Sequence, residues 1–128
     1  MEKREQIIRL WFDMWLEMKD RGIEGIFARD CVYIESWGPK YLGTKAVKRW
    51  FDDWNKSNRV LIWDIKQFFH RDQQTVVEWF FKCEMEESKV DGFDGVSIIR
   101  WDQEDRIRYL KEFGCKLPNY EPYHHLTK

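Results

Sequence analysis

The residues in this chain whose types and spacing could do chemistry are two glutamates, a tyrosine and a serine. Two stretches rich in strand-forming residues, 96–101 and 107–113, flank the short polar insert 102–106. That is the pattern of an antiparallel hairpin. Side chains alternate across a strand, so Ser97, Ile99 and Trp101 share one face of the first arm. In the second arm Leu110 and Glu112 share a face, opposite Tyr109 and Lys111. Glu112 therefore has an apolar neighbour on its own side of the sheet. Glu35 ends an expected short strand, 31–35, on the same face as Tyr33. A carboxylate that loses hydration in an apolar hollow has its pKa raised toward the range useful for proton transfer. The chemistry expected is acid–base catalysis, with Glu35 and Glu112 as candidate catalytic residues and Tyr33 as a hydrogen-bond donor to a ligand carbonyl.

Such groups need a hollow to work in, and the aromatic content suggests one. Aromatic residues make up 17 % of the 128 residues, with eight tryptophans. A core this small rarely requires so many large rings. They line a cavity or cover a subunit interface. Trp50, Trp54, Trp63, Trp79 and Trp101 are the expected cavity walls, Trp15, Met14 and Met18 the floor, and Ser97 a polar group on the same wall. For any single ring, ordinary core packing is the competing assignment. No histidine pair has metal-ligand spacing inside a structured element, so no metal is expected. No serine or cysteine has the histidine partner a nucleophile requires, and no cofactor is expected.

The elements that must position these residues follow from periodicity. Ile7, Leu10, Trp11, Met14, Trp15 and Met18 recur at helical steps and place a helix over 3–19, ended by Arg21-Gly22. A short second helix covers 23–27. The segment 36–43, with Gly38-Pro39, is a loop. Thr44 caps a third helix running to about residue 56. The chain then switches to strand periods. Residues 60–69 have Leu61, Trp63, Ile65 and Phe69 on one face, and 70–74 form a turn that holds His70. Residues 75–85 have Val77, Trp79, Phe81, Cys83 and Met85 on one face. A polar loop, 86–92, leads into the hairpin. Helices followed by a run of antiparallel strands imply an α+β fold, with a curved antiparallel sheet wrapped around three N-terminal helices as a cone with an internal pocket. One domain is expected over 1–128, structured from about 3 to 114, with an irregular tail over 115–128 that holds His124 and His125.

Charge narrows the partners. With 22 basic and 23 acidic residues the formal net charge is −1, which offers no footprint for nucleic acid or for a membrane surface. No apolar run reaches bilayer-spanning length. The N-terminus reads as no signal peptide, and three widely spaced cysteines give no disulfide framework, so a cytoplasmic setting is expected. Val76, Phe80 and Ile98, joined by Phe68, form an apolar stripe on the outward sheet face, the mark of a homodimer interface.

Several phrases, in order, resemble a known superfamily. They are Gly22-Ile23-Glu24-Gly25-Ile26-Phe27, the strand phrase over 27–36, Gly43-Thr44-Lys45-Ala46-Val47, Val76-Val77-Glu78-Trp79 and the closing stretch 93–113. Together they span about residues 20–114. The pattern is similar to the nuclear transport factor two-like superfamily, in its SnoaL-like polyketide cyclase and ketosteroid isomerase branch. The resemblance implies a curved sheet around helices, a deep apolar pocket and dimerisation through the outer sheet face. It also implies cofactor-independent isomerase, cyclase or lyase chemistry on an apolar aromatic or polyketide-like ligand. Glu35 falls where ketosteroid isomerases carry their base. Met14 and Ser97 fall where those enzymes carry a tyrosine and a protonated aspartate. Methionine cannot donate a hydrogen bond and serine replaces an acid only weakly, so the steroid-isomerase donor set is incomplete. In the cyclase branch Glu112 would be the acid–base residue. The alternative is a non-catalytic ligand-binding or dimeric interaction module of the same fold.

Overall fold

The computed structural model describes residues 2–126; residues 1, 127 and 128, at the ends of the expected single domain, lie outside the described residues. Helix α1 spans Glu2–Glu17 and α2 Ile23–Ile26. Strand β1 (Phe27–Ile34) and the short β2 (Lys40–Leu42) precede α3 (Thr44–Ser57). Four long strands complete the fold: β3 (Arg59–Arg71), β4 (Gln74–Met85), β5 (Lys89–Trp101) and β6 (Ile107–Lys116). They form one curved, unclosed sheet in the order β2-β1-β6-β5-β4-β3. The α+β cone with its helices on the concave side is as expected, but the sheet is mixed rather than wholly antiparallel. β1 and β6 run parallel, with Tyr33 opposite Leu110 and Ile34 opposite Lys111. Strand β2, helix α3 and strands β3–β5 intervene between β1 and β6, so the chain re-enters beside β1 in the same direction.

The hairpins extend further than local composition indicates. The turn after β3 is only Asp72-Gln73, and His70 belongs to the strand. β5 begins at Lys89, because each of Lys89–Gly95 has a ladder partner on β4. β3 departs most from simple alternation. Register breaks between Val60 and Ile62 and between Ile65 and Gln67 each change which side chains face inward. Val60, Trp63, Ile65, Phe68 and His70 consequently face the helices or lie partly buried, whereas Leu61 and Phe69 are exposed. The expected inner set of Leu61 and Phe69 is thus corrected at both ends, and Phe68 packs against the core with the Arg9 guanidinium over its ring.

The cone is filled at one end and hollow at the other. Val77, Ile99, Trp101, Ile107 and Leu110 are fully or almost fully buried at the filled end. There the Trp101 indole N–H donates to Thr75 Oγ1 at 2.9 Å, and Thr75 Oγ1 lies 2.9 Å from His70 Nδ1. His70 Nε2 in turn meets Glu5 of α1 at 2.8 Å. Arg4 stacks over the Trp101 ring and pairs with Asp105, which ties the start of α1 to the β5–β6 turn. Charged and polar groups at this end therefore lock helix to sheet. None of them faces the hollow.

Candidate functional site

The hollow end encloses a cavity of about 580 Å³. Six of the eight tryptophans line it: Trp15 from α1, Trp37 from the loop after β1, Trp50 and Trp54 from α3, Trp63 from β3 and Trp79 from β4. Phe81, Cys83 and Met85 continue along β4, with Asp91 and Phe93 opposite them on β5. Trp50 is stacked on Tyr41 at 4.6 Å and tilted against Trp15 at 4.8 Å. Trp63 meets Phe81 edge-on at 5.1 Å and stacks on Phe12 at 3.9 Å. Gly95 makes room for this wall. A Cβ there would sit 2.5 Å from both the Trp79 ring and the Phe113 carbonyl oxygen.

Four carboxylates lie in the lining, and two of them, Glu35 and Glu112, each have a tyrosine partner. Tyr33 Oη donates to Glu112 Oε2 at 2.5 Å, and Tyr33 itself accepts from the Trp11 indole N–H at 3.3 Å. The backbone N–H of Ser36 also donates to Glu112. The only surface Glu112 keeps is partial, and it lines the cavity. Burial pushes its carboxyl up to about 8; Tyr33 and the Ser36 amide oppose that shift, and the neighbouring Glu35 charge adds to it. At neutral pH the group is therefore mainly the protonated acid, and it becomes a base just above. Tyr41 Oη donates to Glu35 Oε2 at 2.7 Å. Burial raises the Glu35 carboxyl too, against the opposing Tyr41 hydrogen bond. Burial and the Glu112 charge hold the Tyr33 phenol well above its ordinary value, so it stays protonated and keeps donating to Glu112. Burial lifts the Cys83 thiol to about 11, which leaves little thiolate for nucleophilic work.

The sequence-derived site residues separate into two groups. Glu35, Glu112, Trp50, Trp54, Trp63 and Trp79 line the cavity together. Tyr33 stands behind the lining and reaches it through Glu112. Met14, Met18, Ser97 and Trp101 do not line it, which corrects those assignments. Met14 is wholly buried in the core. Met18 lies past the last residue of α1, in a left-handed conformation (φ 58°), and is 45 % exposed. Ser97 is buried, with its Oγ accepting from the Trp79 indole N–H at 3.0 Å. Trp101 lies eight residues along β5 from the cavity residue Phe93, roughly 26 Å at strand rise.

Tyr41 is the main residue that sequence reasoning missed. It sits on β2, three residues long and hidden in what reads as a Gly-Pro loop. Its signal, an aromatic six residues after Glu35, has meaning only once β1 and β2 pair and place Tyr33 opposite Tyr41. The rim residues Asp53 and Asp91 were missed as well. Asp53 pairs with Arg49 and Lys56, and Asp91 with Lys116. Among the described residues no group of three His, Cys, Asp or Glu side chains could hold a metal ion, and no helix is long and apolar enough to cross a membrane.

Comparison with known proteins places this geometry. A comparison with curated proteins finds no match. Among solved structures, an LEH-like epoxide hydrolase from M. tuberculosis superposes with a TM-score of 0.78 at 9 % identity, covering 89 % of this chain and 84 % of that one. A nuclear transport factor two-like protein from Burkholderia xenovorans gives 0.74 at 13 % identity, over 89 % and 90 % of the two chains. A protein with a ketosteroid isomerase-like fold from Catenulispora acidiphila, solved in complex with trimethylamine, gives 0.71 at 13 % identity, over 84 % and 83 %. Identities this low establish a shared fold and leave the chemistry open. The family model described as SnoaL-like domain matches residues 8–110, most of the chain, and the chain belongs to that family.

Proposed function

We propose that this protein binds a small, largely apolar ligand in the tryptophan-lined cavity and that Glu112 exchanges a proton with it, without a cofactor. The observation that carries this reading is the carboxyl of Glu112 in the cavity lining, held by Tyr33 and raised by burial to about 8. A carboxyl with that midpoint can give a proton at neutral pH and take one slightly above it. Glu35, tied to Tyr41 and raised in the same direction, is the second candidate. Rigid rings exclude water and orient a flat ligand. Isomerase-, cyclase- or lyase-type turnover of an aromatic or polyketide-like compound suits this arrangement.

A generic base substrate tests the reading. 5-Nitrobenzisoxazole is flat and loses its C3 proton to a carboxylate as its N–O bond breaks, releasing a phenolate. Turnover should rise with pH through about 8 and be lost in Glu112→Gln. Equal turnover in wild type, Glu112→Gln and Glu35→Gln would reject the catalytic reading. Tight binding without turnover would favour a ligand-sequestering module instead. We further propose a homodimer through the outer sheet face, where Val76 pairs with Ile98 beside the exposed Phe69, and Phe80 lies farther along β4. The free thiols Cys31, Cys83 and Cys115 suit a reducing, cytoplasmic setting.

A further inference from the structure

We propose that the ligand taken by this cavity is an organic cation: a tertiary or quaternary ammonium head on an apolar body, caged by indole faces and countered by Glu35 and Glu112. The inference rests on the reading that the cavity is a ligand site, and adds the charge of the ligand. Its first support is the composition of the wall. Among the described residues no lysine, arginine or histidine lines the cavity, whereas Glu35 and Glu112 both do. An anionic ligand would meet two acids and no counter-charge. The rim carboxylates do not alter this balance, because Asp53 and Asp91 already have cationic partners.

The second support is the kind of ring used. Leu or Ile would exclude water from a neutral ligand equally well. Indole faces carry the most negative quadrupole among the natural side chains, and they attract a cation within about 6 Å of the ring centre. Trp15 and Trp50 meet at 4.8 Å, with Trp54 and Tyr41 packed against them, and all four rings line the cavity. The third support is the pairing of the acids. Each is held by a tyrosine rather than a cation, and the Glu35 charge opposes ionisation of Glu112. A positive head between them would relieve that repulsion. Among the described residues the indole N–H groups of Trp15 and Trp63 find no acceptor, but both atoms are buried within the wall and offer nothing to an anion. The cavity, at about 580 Å³, exceeds a trimethylammonium group several-fold and leaves room for the body.

The test compares benzyltrimethylammonium with neopentylbenzene, its neutral analogue of the same shape, by tryptophan fluorescence at about pH 8.5, where Glu112 is largely ionised. Greater hydrophobicity alone would favour neopentylbenzene. The cage predicts the reverse, with the cation bound about tenfold more tightly. In Glu35→Gln/Glu112→Gln that preference should fall about tenfold while affinity for neopentylbenzene stays within about twofold, which also reports an intact cavity. If the double variant does not fold, Glu35→Gln alone, which keeps an oxygen for Tyr41, is read in the same way. Neopentylbenzene binding as tightly as the cation in wild type would overturn the proposal and leave the apolar-ligand reading standing. An unchanged preference in the variants would also overturn it. Binding of neither probe would remove both.

Discussion

Tyr33 and Glu112, 79 positions apart in sequence, are joined by a hydrogen bond across the parallel β1–β6 pair. Tyr33 lies opposite Leu110, and Glu112 is two residues further along β6 on the same face. The tyrosine spends its acceptor capacity on Trp11 and its proton on Glu112. It is a fixed donor that partly offsets the cost of burying the carboxylate. Removing it should raise the Glu112 midpoint further above about 8, because the hydrogen bond favours the charged form. The carbon-13 chemical shift of the Glu112 carboxyl, followed against pH in wild type and Tyr33→Phe, checks this. A lower midpoint in the variant would contradict the assigned role. The same change orphans the Trp11 indole N–H and should cost about 1–3 kcal/mol of stability.

The same carboxyl sets a pH dependence of folding. Its folded-state midpoint of about 8 is above its ordinary 4.5, so between those values the folded chain keeps a proton that the unfolded chain has lost. This contribution is complete below about pH 4.5 and disappears as pH rises through about 8. Glu112→Gln lacks it. Denaturant titrations from pH 5 to 8 should therefore show the variant gaining on wild type by on the order of 3 kcal/mol. A constant difference across that range would show that Glu112 is not held protonated.

Gly95 is the position where the cavity wall depends on a missing side chain. Gly95→Ala places a methyl group against the Trp79 ring and the Phe113 carbonyl, one of them rigid backbone of the neighbouring strand. Overpacking of this kind should cost about 3 kcal/mol or more and displace Trp79 from its hydrogen bond to Ser97. Thermal denaturation and the indole N–H resonance of Trp79 would report both effects.

At the filled end, Thr75→Val keeps volume but removes the hydroxyl oxygen that accepts from the Trp101 indole N–H at 2.9 Å. A loss of about 1–3 kcal/mol is expected, with the cavity unaffected. Probe binding at wild-type affinity alongside a lower unfolding midpoint would bear out this separation of the two ends.

The outer face gives a prediction about assembly. Val76, Val96 and Ile98 are only partly covered, and Phe69 and Phe113 are exposed beside them. Sedimentation at micromolar concentration should find a dimer in wild type and a monomer in Phe80→Glu. A wild-type monomer unaffected by the substitution would count against the interface.

The chain's own periodicities determined a good deal. Alternation along β4, and along β6 beyond its register break at Arg108, put Trp79, Phe81 and Cys83 on one side and aligned Glu112 with Leu110, because an unbroken stretch of strand leaves its side chains no other choice. Helical spacing likewise put Trp11, Met14 and Trp15 on the buried face of α1. Tertiary structure decided what alternation cannot carry. The two register breaks in β3 exchanged Leu61 and Phe69 for Val60 and Phe68, and a bulge has no local signature strong enough to read. The depth of the cavity was also a matter of packing. Ser97 and Trp101 face inward as their parity requires, yet the cone is filled where they sit, so facing inward does not by itself mean facing the hollow. The pairing of Glu112 with Tyr33 and of Glu35 with Tyr41 depends on β1 lying between β2 and β6. No local pattern encodes that order, because it is settled by which strands bury the most surface together.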